Sequence, residues 1–242
     1  MTGYGLTDRG KIREENQDTL RYLFPGTEDS AILVVCDGMG GAQAGELASR
    51  LAAEEFFARV KDAMEKGGVE LSELMRNGAE LANHAVYSRS LEEPGTRGMG
   101  TTLVAAIVRG DECVIVNVGD SRAYLIGNGS IMRVTRDHSL VEELVARGEL
   151  TREAARTHPR KNIITRALGV DQQVKSDIFE AALHKGDILL LCTDGLSNVV
   201  LDEEILKTAS SSRNMESLCR KLMKIALRRG APDNVTVLAA KR

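Results

Sequence analysis

The chain has 242 residues, 43% of them hydrophobic and 28% charged, with a formal net charge of −3. That length suits one sizeable core, and a single domain over residues 1–242 is expected. A nucleic-acid binder would carry a basic surplus, which is missing here.

In chain order, Met1 to Lys11 carries no apolar stretch of the kind a secretion signal needs. Ala31–Cys36 is the first apolar run and reads as a strand. Gly45–Glu65 then places Leu47, Leu51, Ala52, Phe56 and Val60 close to helical spacing, and Leu71–Leu91 does the same with Leu74, Ala79, Leu81, Ala82 and Val86. Strands are predicted at Thr102–Val108, Cys113–Val118 and Ala123–Ile126. Arg109-Gly110-Asp111 and Gly127-Asn128-Gly129 are hairpin signals, so an antiparallel meander is expected there. Gly148 to Gly169 is the least regular stretch and is read as a surface flap. Two more strands, Ile188–Cys192 and Val235–Ala239, bracket a helix at Leu218–Leu227. This order points to α+β layers rather than a βαβ alternation. The apolar runs are too short to span a bilayer. Cys36, Cys113, Cys192 and Cys219 form no CxxC pair, which argues against a zinc ribbon or disulfide framework and favours reduced thiols in the cytosol.

The informative feature is where the aspartates fall. Ala31–Cys36 runs into Asp37-Gly38-Met39-Gly40-Gly41, Cys113–Val118 into Gly119-Asp120, and Ile188–Cys192 into Thr193-Asp194-Gly195, while Asp233-Asn234 precedes Val235–Ala239. Carboxylates gathered at strand tips repel one another unless a cation sits among them. An all-oxygen set suits Mg2+ or Mn2+ rather than zinc. Two such ions about 3.5–4 Å apart can clamp a phosphoryl group and acidify water. Asp-Gly is also an ordinary turn dipeptide, and spacing alone does not bring the four together.

The ordered motifs resemble the PPM family, the PP2C-type protein phosphatases, in its compact bacterial form. They are Asp8 through Asp18, Asp37 through Gly41 with Gly45-Glu46, Gly100-Thr101-Thr102, Asn117 through Arg122, Asp137-His138-Ser139, Ile164 through Gly169, Thr193 through Leu196, and Asp233 through Thr236. The resemblance spans essentially the whole chain. It implies two antiparallel β-sheets packed as a central sandwich and flanked by helices on both sides. It also implies that Asp37 bridges two Mn2+ or Mg2+ ions, that the Gly38 carbonyl serves one of them, and that Asp194 and Asp233 complete the first ion's shell. Asp18 would orient water from behind, Asp120 with Asp194 would hold a third, weaker ion, and Arg13 would grip the substrate phosphate. The implied reaction is hydrolysis of phosphoserine and phosphothreonine in proteins by a hydroxide bridging the two ions. Substrates would include a serine/threonine kinase and its targets. Met39 and Ala42 stand where relatives carry histidines, so no general acid is assigned.

Other readings are weaker. Gly5 through Lys11 nearly matches a P-loop, but Ile12 stands where the Ser or Thr belongs. No Cys is followed six positions later by Arg, and no Gly-x-Ser-x-Gly elbow is present. His158, in the irregular stretch, is a candidate for substrate contact, and His138 is expected to be structural. A catalytically silent protein of the same fold, or a metal-dependent hydrolase of small phosphates, are the alternatives.

Overall fold

The computed structural model describes residues 1–25, 29–92 and 94–242. The chain opens with β1 (Thr2–Asp8), β2 (Asp18–Leu23) and β3 (Ser30–Met39), followed by the long helices α1 (Ala42–Lys66) and α2 (Leu71–Glu92). Five short strands come next: β4 (Gly100–Thr101), β5 (Leu103–Arg109), β6 (Glu112–Val118), β7 (Arg122–Gly127) and β8 (Ser130–Arg133). Two short helices, α3 (Leu140–Ala146) and α4 (Arg152–Thr157), lead to β9 (Asp177–Ala182) and β10 (Ile188–Cys192). The chain closes with α5 (Asp194–Ser197), α6 (Asp202–Ser210), α7 (Met215–Arg228) and β11 (Val235–Lys241).

The strands form two antiparallel sheets, ordered β1-β11-β10-β7-β8 and β2-β3-β5-β6-β9, with β4 paired to β3. Side-chain alternation explains why they stack. On β3, Ala31, Leu33 and Val35 face a layer shared with Leu189, Leu191 and Leu238 of the other sheet. Ile32, Val34 and Cys36 point the opposite way, into a layer with Phe56 and Val60 of α1 and Leu74 and Val86 of α2. On the far side Leu190 and Cys192 join Leu218, Leu222 and Ala226 of α7. The order is therefore helix, sheet, sheet, helix, as the family resemblance implies. Strands buried on both faces need continuous apolar sequence. Each fully buried Leu or Val contributes about 1.5–3 kcal/mol.

The two hairpins form as expected, β5–β6 through Gly110 and β7–β8 through Asn128 and Gly129. The expected continuous meander does not. β6 lies in one sheet and β7 in the other, so the chain changes sheets at Gly119-Asp120-Ser121. Gly119 makes that step at φ 109°, a backbone state that favours glycine. The stretch predicted as a flap is only partly irregular. It contains α4, whose first turn is capped by Thr151, and Ile164 and Leu168 fasten its far end through bridges to Ser139 and Thr101. Strands β1, β2, β4 and β9 and the short helices α3, α4, α5 and α6 add to the elements expected from sequence. Among the described residues no helix is long and apolar enough to cross a membrane.

Candidate active site

Five aspartates meet at one end of the sandwich. Asp37 lies near the end of β3, and Asp18 opens β2 directly across the ladder from it. Asp120 sits in the sheet-to-sheet step. Asp194 begins α5 immediately after β10, and Asp233 stands two residues before β11, whose start pairs with the end of β10. A pocket of about 430 Å³ opens over them, lined by Arg13, Asp37, Gly38, Asp120, Asp194 and Asp233 among others. Asp18 lies beneath it, 7% exposed.

Backbone and threonine hydrogen bonds hold this floor in place. The Asp37 N–H donates to Thr102 Oγ1 (2.9 Å), and its carbonyl accepts from the Thr102 N–H and Thr101 Oγ1. Asp18 Oδ2 accepts from Thr193 Oγ1 (3.0 Å) and Thr236 Oγ1 (2.6 Å). Asn234 ties the Arg13-bearing segment to the start of β11. Its Nδ2 donates to the carbonyls of Arg9 and Glu15, and its Oδ1 accepts from the Gln17 N–H. Two glycines are required by crowding. A Cβ on Gly38 would strike the Gly45 carbonyl, and one on Gly195 would strike the Asn234 carbonyl.

The electrostatics are those of uncompensated acid. Burial raises Asp37 and Asp120 well above the usual carboxylate range, with Asp18 and Asp194 the next largest contributors respectively. Burial pushes Asp194 to about 6, with Asp233 adding to the effect. Burial likewise pushes Asp18 to about 7, against the bonds from Thr236 and Thr193. Arg13 Nη2 donates to Asp233 Oδ2 (2.9 Å) from a side chain 56% exposed.

Among the described residues no three His, Cys, Asp or Glu side chains are already drawn into a cation cage. Asp233 turns Oδ2 to Arg13 and Oδ1 to the Asn234 N–H, and Asp194 Oδ2 accepts from Asn198. Hard divalent ions nevertheless fit the donor set. The oxygens Asp18 Oδ1 and Asp194 Oδ1 are buried without a hydrogen-bond partner, which is costly unless something positive reaches them. Every side chain of this acidic set is an oxygen donor, as Mg2+ and Mn2+ require.

The pocket thus gathers Arg13, Asp37, Gly38, Asp120, Asp194 and Asp233 from the sequence-based set, with Asp18 behind it. His158 is not among the lining residues. It caps the end of α4, and its Nδ1 accepts from the Arg160 N–H. Thr102, Thr193, Thr236 and Asn234, which do the positioning, stood inside the recognised motifs without a role of their own. His138 lies outside the pocket lining. Its Nδ1 accepts from the Gly119 N–H, its Nε2 lies 3.1 Å from both Asp177 Oδ2 and Arg166 Nη1, and the ring steadies the turn that bears Asp120.

This fold and this acidic pocket suit a protein phosphatase that works with metal ions, and proteins similar to the chain are named phosphatases. A family model described as Protein phosphatase 2C matches residues 10–235, and the chain belongs to that family. It is 40% identical to a serine/threonine phosphatase stp of Listeria welshimeri over 98% of this chain and 94% of that one. The serine/threonine phosphatase Stp1 of Staphylococcus aureus superposes with a TM-score of 0.92 at 38% identity, covering 99% of this chain and 94% of the other. The catalytic domain of the serine/threonine phosphatase PstP, solved with two manganese ions, gives a TM-score of 0.87 at 34% identity, covering 99% and 97%.

Proposed function

We propose that this chain hydrolyses phosphoserine and phosphothreonine in proteins at a dinuclear Mn2+ or Mg2+ centre, reversing the action of a serine/threonine kinase. The reading rests on one observation above all: Asp37, Asp194 and Asp233, distant in sequence, line one pocket that contains an unpartnered carboxylate oxygen. Asp37 would hold both ions, the Gly38 carbonyl one of them, Asp194 and Asp233 would complete the first, and Asp120 with Asp194 would take a third, weaker one. When bound, such ions neutralise phosphoryl charge and acidify water.

The chain's own groups do the rest. Asp18, held by Thr193 and Thr236 behind Asp37, orients what sits in front of it. Arg13 is exposed and among the described residues pairs with a single carboxylate, so it can turn from Asp233 to a substrate phosphate and grip it with two parallel hydrogen bonds. No thiol supports a covalent phosphoenzyme. The four cysteines are buried and absent from the pocket lining, and burial pushes Cys192 to about 12. Free buried thiols also suit a reducing compartment such as the cytoplasm.

The test is manganese-dependent hydrolysis of p-nitrophenyl phosphate and of a phosphoserine peptide. Asp37→Asn should lower turnover by about a hundredfold or more and weaken Mn2+ binding in calorimetry, with an unchanged circular dichroism spectrum. Normal turnover in that variant would sink the assignment.

A further inference from the structure

A second cleft, of about 900 Å³, lies beside the acidic pocket and meets it at Asp120 and Asp194, which line both. Away from those two acids its walls carry more cations than carboxylates. Six cationic side chains line it, against four carboxylates (Asp137, Glu142, Glu153 and Asp202) beyond the two shared with the pocket. The deep cations are committed. Arg122 grips both oxygens of Asp137, and Arg133 bridges Asp137 and Glu142. The outer ones are not. Arg136 and Arg152 share the already occupied Glu142 at 3.7 and 3.5 Å from exposed positions. Arg156 reaches the Ser197 carbonyl at 3.5 Å, and the carboxylate it acts on electrostatically, Glu204, is already gripped by Arg229. Each guanidinium has five donors, so these outer arginines keep N–H groups free for an anion.

We propose that this cleft is an anion-recognition extension of the active site, taking an acidic or second phosphorylated residue a few positions from the phosphoresidue being hydrolysed. The proposal rests on the phosphatase reading above and adds a substrate class to it. A peptide whose phosphate enters over Asp37 must leave the pocket past Asp120 or over its other rim. The Asp120 exit leads directly between these walls. Exposed ion pairs are individually weak, so the cleft tunes affinity and does not replace the grip of Arg13.

The experiment measures binding by anisotropy, with labelled peptides carrying a non-hydrolysable phosphoserine phosphonate and Mn2+ present. The flanking residues are Ala, Glu, Lys or phosphoserine, tested on each side in turn. The Glu and phosphoserine peptides should bind about two- to fivefold tighter per engaged cation than the Ala peptide, and the Lys peptide weaker. The double variant Arg152→Gln, Arg156→Gln should lose that preference. Both positions are exposed on α4, so the fold, the affinity for the Ala peptide and the turnover of p-nitrophenyl phosphate should be unchanged. A larger gain for phosphoserine than for Glu identifies a second phosphate as the preferred ligand, and equal gains identify any anionic side chain. Equal affinity of the unmodified protein for all four peptides overturns the proposal, as does a preference that survives the double substitution. A preference without p-nitrophenyl phosphate turnover would count against the phosphatase reading and leave the cleft standing.

Discussion

Replacing Asp18 by Asn should stabilise the metal-free protein, and the gain should depend on pH in a defined way. Asp18 is 7% exposed, one of its oxygens has no partner, and burial holds its carboxyl at about 7 against an ordinary value of 3.8. Below about pH 4 the group is protonated in both folded and unfolded chains and contributes nothing. As pH rises toward 7 the unfolded chain releases this proton first, so unfolding becomes progressively easier. Above 7 both forms are ionised and the penalty is complete, at about 4 kcal/mol by the usual conversion of 1.36 kcal/mol per pH unit. Asn keeps an acceptor for Thr193 and Thr236 and turns an amide toward the neighbouring carboxylates. The assay is urea unfolding in EDTA at pH 4.5, 6 and 8. The variant should exceed the parent by only about 1 kcal/mol at the lowest pH and by up to about 4 kcal/mol at the highest. A difference that stays the same across the three pH values would refute the reasoning, because the Asp18 carboxyl would then be ionised at little cost.

Two further outcomes are expected. Arg13→Ala should chiefly raise KM for a phosphopeptide with a smaller change in kcat, because it removes phosphate binding and leaves the acidic floor intact; steady-state kinetics with saturating Mn2+ read this directly, and an unchanged KM would remove Arg13 from the site. Gly38→Ala should push the Asp37 turn off the Gly45 carbonyl at the start of α1, at a cost of about 1–3 kcal/mol of overpacking and a loss of Mn2+ affinity; a variant with parental thermal stability and metal affinity would show that α1 gives way without consequence.

The interior of the fold was readable because β3, β5, β6, β10 and β11 are covered on both faces and must be apolar throughout. The edge strands were not. β1, β2 and β9 are only partly buried, and Gly3, Gly5 and Asp18 interrupt any run or alternation that would have marked them. Turn chemistry at Gly110 and Gly129 specified two hairpins, but nothing local distinguishes a hairpin partner in the same sheet from one in the opposite sheet. Hence the change of sheets at Gly119 went unforeseen. At the site, Asp37, Asp120, Asp194 and Asp233 stood out as acids at the tips of apolar runs. Asp18 opens an edge strand and Arg13 lies in an irregular segment, so only the family resemblance pointed to them. Asn234, Thr193 and Thr236 act across separations of 175 to 225 residues, which no short motif encodes as a contact.

The placement of β11 between β1 and β10 has a consequence for biosynthesis. Thr2–Asp8 is made well before Val235–Lys241, its one ladder partner among the described residues. At 5–20 residues per second, a ribosome needs roughly 10–50 s to supply that partner. Until then β1 lacks that partner, and two glycines in its seven residues make it a poor template for stray pairing. The acidic pocket is therefore completed only when β11 pairs and Asp233, two residues before it, takes its place.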